Sequence, residues 1–229
     1  MSNSCFWRRT STVYWNIKQP GALSASISRL LRSRSMHMLS LNERIKLLEE
    51  DLKADPPRIS VYHNLPFAIL RYDPEEEWVL RKEVRRLKTR LQQAGRRVHR
   101  ISLAELLWEA IEQCEGLEAV VELERERGFL AAQEQVTVYL SDPDWAPLAD
   151  LVVKRLKGLD PANDIVFLVR AAAMAPAIYH MSRLLDELHG RTLVPIVLFY
   201  PGTLEGTTGL RFLGLKDREA MGNYRVKIY

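Results

Sequence analysis

Residues 66–101 read PFAILRYDPEEEWVLRKEVRRLKTRLQQAGRRVHRI, and this stretch decides the fold class. The first seven residues are an apolar run that predicts a buried strand. Asp73 then offers a helix cap, and Pro74 suits the first helical position. Glu75, Glu76 and Glu77 bring negative charge to the positive end of the helix dipole. Leu80, Val84, Leu87 and Leu91 form a helical stripe, and Gly95 is a natural stop. Residues 96–101 predict a second strand. A strand, an amphipathic helix and a strand in succession imply parallel pairing through a crossover.

The pattern extends in both directions. Upstream, Ser40 or Asn42 can cap a helix carrying Leu41, Ile45, Leu48 and Leu52, which ends before Pro56-Pro57. Residues 59–62 read as a short extended piece. Downstream, Ser102 with Glu105 three residues on makes a capping-box arrangement for a helix with Leu103, Leu106, Leu107, Ala110 and Ile111. Residues 115–157 read as an exposed helical insertion between two α/β halves. Residues 164–170 predict a third strand, and Ile178, Met181, Leu184, Leu185 and Leu188 a helix stopped by Gly190. Residues 194–200 predict another buried strand, and residues 224–229 a last edge strand. The expectation is a three-layer α/β sandwich around a mostly parallel sheet. Its topology is Rossmann- or P-loop-like, but it has no Walker motif.

Charge is unevenly placed. The 229 residues include 33 Lys and Arg against 29 Asp and Glu, a net charge of +4. Residues 1–37 hold six of those cations (Arg8, Arg9, Lys18, Arg29, Arg32 and Arg34) and no carboxylate. The remainder is therefore slightly acidic, so the overall basic balance is no argument for nucleic-acid binding. The tail shows no sustained periodicity and is read as a disordered or spurious extension, with residues 38–229 a single domain. Cys5 and Cys114 are too few for a disulfide framework or a cysteine zinc site. No apolar run is long enough for a membrane helix.

Two candidate sites stand out. Ligands of open parallel sheets sit beyond the carboxyl ends of the strands. Those ends supply Arg71, Arg170 and Tyr200, followed by Gly202, Thr208 and Arg211 of a glycine-rich turn. This set can grip an anion. The plainer reading is that Arg71 and Arg170 pair with Asp73 and Glu205, and that the glycines only turn the chain. The second candidate is a basic helix face formed by Arg81, Arg85, Arg86, Lys88 and Arg90. It is either a solvated surface or a docking face, and an acidic protein partner ranks ahead of DNA. His63, His99, His180 and His189 fall on separate elements without metal spacing, and Asp186–His189 reads as a solvated pair. No catalytic set, metal site or cofactor is expected.

Three strings carry a family resemblance: HRISLAELLWE (99–109), LFYPGTLEGTTGLRF (198–212) and NYRVKIY (223–229). They resemble the BrxB family of bacterial BREX phage-defence systems, from about residue 38 to the last residue. The resemblance implies a small, non-enzymatic, cytoplasmic component of a multi-protein complex that supports host DNA methylation and phage exclusion. Its implied partners are PglZ, an alkaline-phosphatase-like protein, together with the methyltransferase PglX and the ATPase BrxC. Contact with DNA would be indirect. A bacterial family also argues against reading the tail as an organelle transit peptide. The alternative is a phosphate-, nucleotide- or DNA-binding regulatory domain.

Overall fold

The computed structural model describes residues 39–60, 65–176, 178–205, 209–215 and 226–229. The predicted tail, residues 1–37, lies outside them. In chain order the elements are α1 (Leu41–Lys53), β1 (Phe67–Tyr72), α2 (Glu77–Gln93), β2 (Arg97–Ser102) and α3 (Leu103–Gln113). Then come α4 (Gly116–Arg127), α5 (Phe129–Ser141), α6 (Leu148–Leu156), β3 (Asp164–Val169) and α7 (Met181–Leu188). The described chain closes with β4 (Ile196–Glu205), β5 (Gly209–Phe212) and β6 (Lys227–Ile228). The sheet order is β2-β3-β4-β1-β6, and every pairing along it is parallel. Among the described residues β5 pairs only with β4, antiparallel.

The layers follow from alternation along the strands. Phe67, Ile69, Val166, Leu168, Ile196 and Leu198 pack against α3, α5, α6 and α7 on one face. Ala68, Leu70, Tyr72, Phe167, Val197 and Phe199 pack against the stripes of α1 and α2 on the other. β1 and β4 are thus buried on both sides, which is why they read as continuous apolar runs. The molecule is the three-layer α/β sandwich that its periodicity implies.

Several local readings are refined. At α1 the Ser40–Glu43 capping box is complete, with Glu43 Oε2 accepting from Ser40 N at 2.8 Å. At α3 the Ser102 hydroxyl accepts from Glu105 N at 3.3 Å. The helix after β1 opens with a 3-10 turn, Pro74–Glu76, before α2 proper. Ile59 lies in a turn and is buried, and residues 61 and 62 of the expected extended piece lie outside the described residues. The largest correction concerns residues 115–157. Only α4 buries nothing, whereas α5 and α6 place Val136, Tyr139, Leu140, Leu148, Leu151, Val152 and Leu156 in the core. These two helices therefore form part of the outer layer. Their short apolar stripes look like insertion helices until the sheet face that they cover is known.

β4 also runs five residues beyond its predicted end. Pro201 and Gly202 would normally stop a strand, but β5 supplies a partner for this extension. A Cβ on Gly202 would lie 2.1 Å from the Arg211 carbonyl oxygen, so glycine is required for the two strands to approach.

At the opposite end of the sheet, the buried carboxylate of Asp164 fastens β2 to β3. It accepts from Arg97 Nε at 2.6 Å and Nη2 at 2.9 Å, and from the Asp160 backbone N–H at 2.7 Å. His99 Nε2 lies 2.9 Å from the same carboxylate. The bonds from Arg97 outweigh burial and hold the Asp164 carboxyl well below the usual carboxylate range. Because the pKa is depressed in the folded state, this stabilisation is present above the ordinary carboxylate pKa and is lost as pH falls below it. Asp164→Asn should cost about 2 kcal/mol at neutral pH. Urea titrations of both proteins should show the difference shrinking on acidification toward about pH 3.

Candidate functional site: a basic crevice at the strand ends

The strand-end arginines part company in three dimensions. Arg71 Nη1 lies 3.1 Å from Asp73 Oδ1 and 3.5 Å from the Gly202 carbonyl oxygen. It is therefore neutralised locally, as the plainer reading expects. Tyr200 is buried, with its ring edge-on to Phe212 at 5.4 Å. Arg211 stands opposite Thr203 in the β4–β5 ladder. Thr208 lies outside the described residues. The glycine-rich segment is thus a hairpin whose described part packs on the α3–α7 side through Leu204, Leu210 and Phe212.

Internal charge also occupies the end of β1. Arg44 of α1 is buried and faces Glu76 at 3.9 Å. Burial, together with Arg71 nearby, weakens its hold on its proton. The carboxylates at the start of α2 have internal partners too: Tyr72 donates its hydroxyl hydrogen to Glu77, and Arg81 Nε bonds Glu77 Oε1 at 2.7 Å. The positive end of α2 is already matched with carboxylates, so it is not a phosphate cradle.

Arg170 goes elsewhere. It is the residue after β3, and its backbone is left-handed, with φ 62° and ψ 38°. Its side chain lines a cavity of about 480 Å³ between α2 and the carboxyl ends of the strands. Arg81, Arg85 and Lys88 of α2 line the same cavity, as does Arg100 of β2. These α2 positions are spaced i, i+4, i+7, one stripe beside the buried Leu80–Val84–Leu87 stripe. Arg100 shares a strand face with Val98, the face that α2 covers. Glu77 and Glu105 are the two carboxylates of the lining. The floor is apolar: Leu80, Val84, Phe167, Val169 and Phe199.

The predicted docking face divides accordingly. Arg86 turns to Glu83, with Nη1–Oε1 at 2.5 Å. Arg90 crosses to α1 and bonds Glu49 at 2.6 Å, where Lys53 also binds. These two fasten α2 to itself and to α1. Arg85, Lys88, Arg100 and Arg170 make no ion pair with a described residue. Sequence reasoning sees Arg100 only as the end of the basic run that begins on α2, and it misses Glu105 as a site residue. The signal that separates Arg100 from its neighbours Arg96 and Arg97 is the alternation of β2, which places Arg100 on the α2 face.

The other candidates settle simply. Burial pushes the Cys114 thiol up, away from a reactive thiolate. His180 and His189 flank the two ends of α7, and His63 lies outside the described residues. Among the described residues, no group of three or more His, Cys, Asp or Glu side chains is placed to hold a metal, and no helix is long and apolar enough to cross a membrane.

The fold and the crevice define a mostly parallel α/β domain with a cation-rimmed cavity at the carboxyl ends of its strands. Residues 99–228, more than half of the chain, match the family described as BREX protein BrxB. A BREX protein BrxB of Bacillus cereus (strain H3081.97) is 28% identical over 159 residues, covering 68% of this chain and 80% of that protein. The chain belongs to the BrxB family. No solved structure matches it.

The left-handed backbone at Arg170 is uphill for any residue with a Cβ. Arg170→Gly should therefore raise stability by about 0.5–1 kcal/mol, the steric relief less the entropy of glycine. The midpoint of a urea titration reads this directly, and a fall would mean that the guanidinium itself supports the fold.

Proposed function

We propose that this chain is a non-enzymatic adaptor of a BREX phage-resistance complex, which holds PglZ to components such as BrxC and the methyltransferase PglX. Membership of the BrxB family supports the setting. One structural observation carries the adaptor role. The α4–α5 hairpin, turned at Gly128, leaves large apolar side chains in solvent, with Phe129 57% and Leu130 70% exposed at its tip. Leu117 and Val138 are exposed further along the same hairpin. Ordering apolar side chains of this size in water has no folding benefit, and burying them against a partner does.

The hairpin also limits the chemistry of that partner. Glu118, Glu122, Glu124 and Glu126 outnumber Arg125 and Arg127 along α4, so the complementary surface is apolar with a basic rim. In this reading the chain works by binding. It supports host DNA methylation and phage exclusion in the cytoplasm by organising other proteins, and it meets DNA only through them.

The test is co-expression of the full chain with tagged PglZ from the same system, followed by size exclusion with light scattering. A defined complex is expected. Phe129→Glu combined with Leu130→Glu should dissociate it, with affinity falling at least about a hundredfold for two interface anchors. The thermal midpoint should stay within a degree or two, because neither residue is buried. Separate elution of two folded proteins would end the PglZ reading. An intact complex in the double variant would move the interface off the hairpin.

A further inference from the structure

We infer that the crevice between α2 and the ends of β2 and β3 is a nucleotide site. Arg85, Lys88, Arg100 and Arg170 would hold the phosphates of a nucleoside di- or triphosphate, whose ring lies on the apolar floor. The inference is independent of the adaptor role, since the crevice and the α4–α5 hairpin are different surfaces.

Charge is the first support. Glu77 and Arg81 are paired with one another, at 2.7 Å. The rest of the lining then contributes four cations and a single carboxylate, Glu105. On a convex surface four solvated cations are ordinary. Converging on one concavity, they repel one another beside a low-dielectric wall, and a bound polyanion relieves that repulsion. The excess of three positive charges matches the charge of a nucleoside di- or triphosphate. Three of the four cations are arginines, whose planar forks suit phosphate oxygens.

Shape is the second support. A cavity of about 480 Å³ falls within the range that takes small organic ligands. Its apolar side is the half-buried Val169 with the edges of Leu80 and Val84, underlain by Phe167 and Phe199, which are buried and packed edge to face with centroids 5.1 Å apart. Inorganic phosphate would leave this apolar side uncovered, whereas a ligand that carries a ring covers it. Glu105 adds a hydrogen-bond acceptor for a ribose hydroxyl or an exocyclic amine. The four cations come from three elements, α2, β2 and the end of β3, and line one hollow, which suits a single nucleotide better than a nucleic-acid strand.

Backbone strain is the third. Arg170 adopts a left-handed conformation that its side chain disfavours, and it does so at the end of β3, where it lines the cavity. Such outliers gather at ligand clamps, because placement of the side chain there offsets the local cost.

The experiment uses the full chain and a fluorescent N-methylanthraniloyl ATP. Displacement is measured with ATP, ADP, adenosine, tripolyphosphate and a short single-stranded oligonucleotide. Micromolar binding is expected, with ATP and ADP displacing the probe and affinity falling as salt rises. Adenosine and tripolyphosphate should each be at least about tenfold weaker, since each lacks half of the ligand. Arg170→Gly and Arg100→Ala should each weaken the probe about tenfold or more. Lys154→Ala, on α6 in the opposite layer, should change nothing. Arg170→Gly relieves its backbone, and Arg100 lies on an edge strand, so a thermal midpoint that does not fall separates lost binding from lost fold. Four results would overturn the inference: no binding, tripolyphosphate equal to ATP, stronger displacement by the oligonucleotide, or undiminished binding in both arginine variants.

Discussion

The pairing of β1 with β4 is the constraint on which the rest of the structure depends. Six consecutive residue pairs, from Phe67 opposite Ile196 to Tyr72 opposite Pro201, run parallel down the middle of the sheet. Parallel neighbours cannot be joined by a tight turn, so the chain must leave the sheet and return over one of its faces. From the end of β1 it does not go to the adjacent strand. It crosses β4 and β3 to reach β2, three strand spacings or roughly 14 Å away. α2 makes that crossing. Its apolar stripe faces the middle of the sheet, and the basic stripe beside it therefore overhangs the strand ends.

The crevice is a product of this route. Arg81, Arg85 and Lys88 come from the crossing helix, Arg100 from the strand it reaches, and Arg170 from the strand it passes over. Arg86 and Arg90 face away and find internal carboxylates, Glu83 within the helix and Glu49 on α1. One run of basic sequence thus performs two jobs. Part of it fastens two helices together, and part lines a cavity whose charge the protein leaves uncompensated among its described residues. Beyond Tyr200, β4 pairs antiparallel with β5, and the Gly202 carbonyl oxygen lies 3.5 Å from Arg71, whose charge Asp73 neutralises.

The two proposed surfaces differ in kind. The α4–α5 hairpin exposes apolar side chains amid carboxylates, a combination that favours a protein partner. The crevice exposes cations above a buried aromatic floor, a combination that favours a small anionic ligand. Both belong to a chain of the BrxB family.

Most of the fold was legible in the sequence, because apolar periodicity is a local property. The stripes of α1, α2, α3 and α7 and the runs of β1, β3 and β4 register burial directly, and caps such as Ser40 and Ser102 mark where helices begin. The extension of β4 past Pro201-Gly202 was not legible, since a strand that depends on β5 for its partner is defined by a pairing. The site was legible only in part. Arg170 and the α2 cations were visible as residues, yet they belonged to two separate candidates. Arg71, Tyr200 and Gly202 were grouped with Arg170 because all follow strand ends. Strand ends, however, do not say on which face a side chain emerges. Strand order, the face that α2 covers and the left-handed turn at Arg170 decide which charges meet. Those are properties of the packed sheet: distance along the chain determines local conformation, whereas the meeting of Arg100, Arg170 and Arg85 depends on how the crossover closes in space.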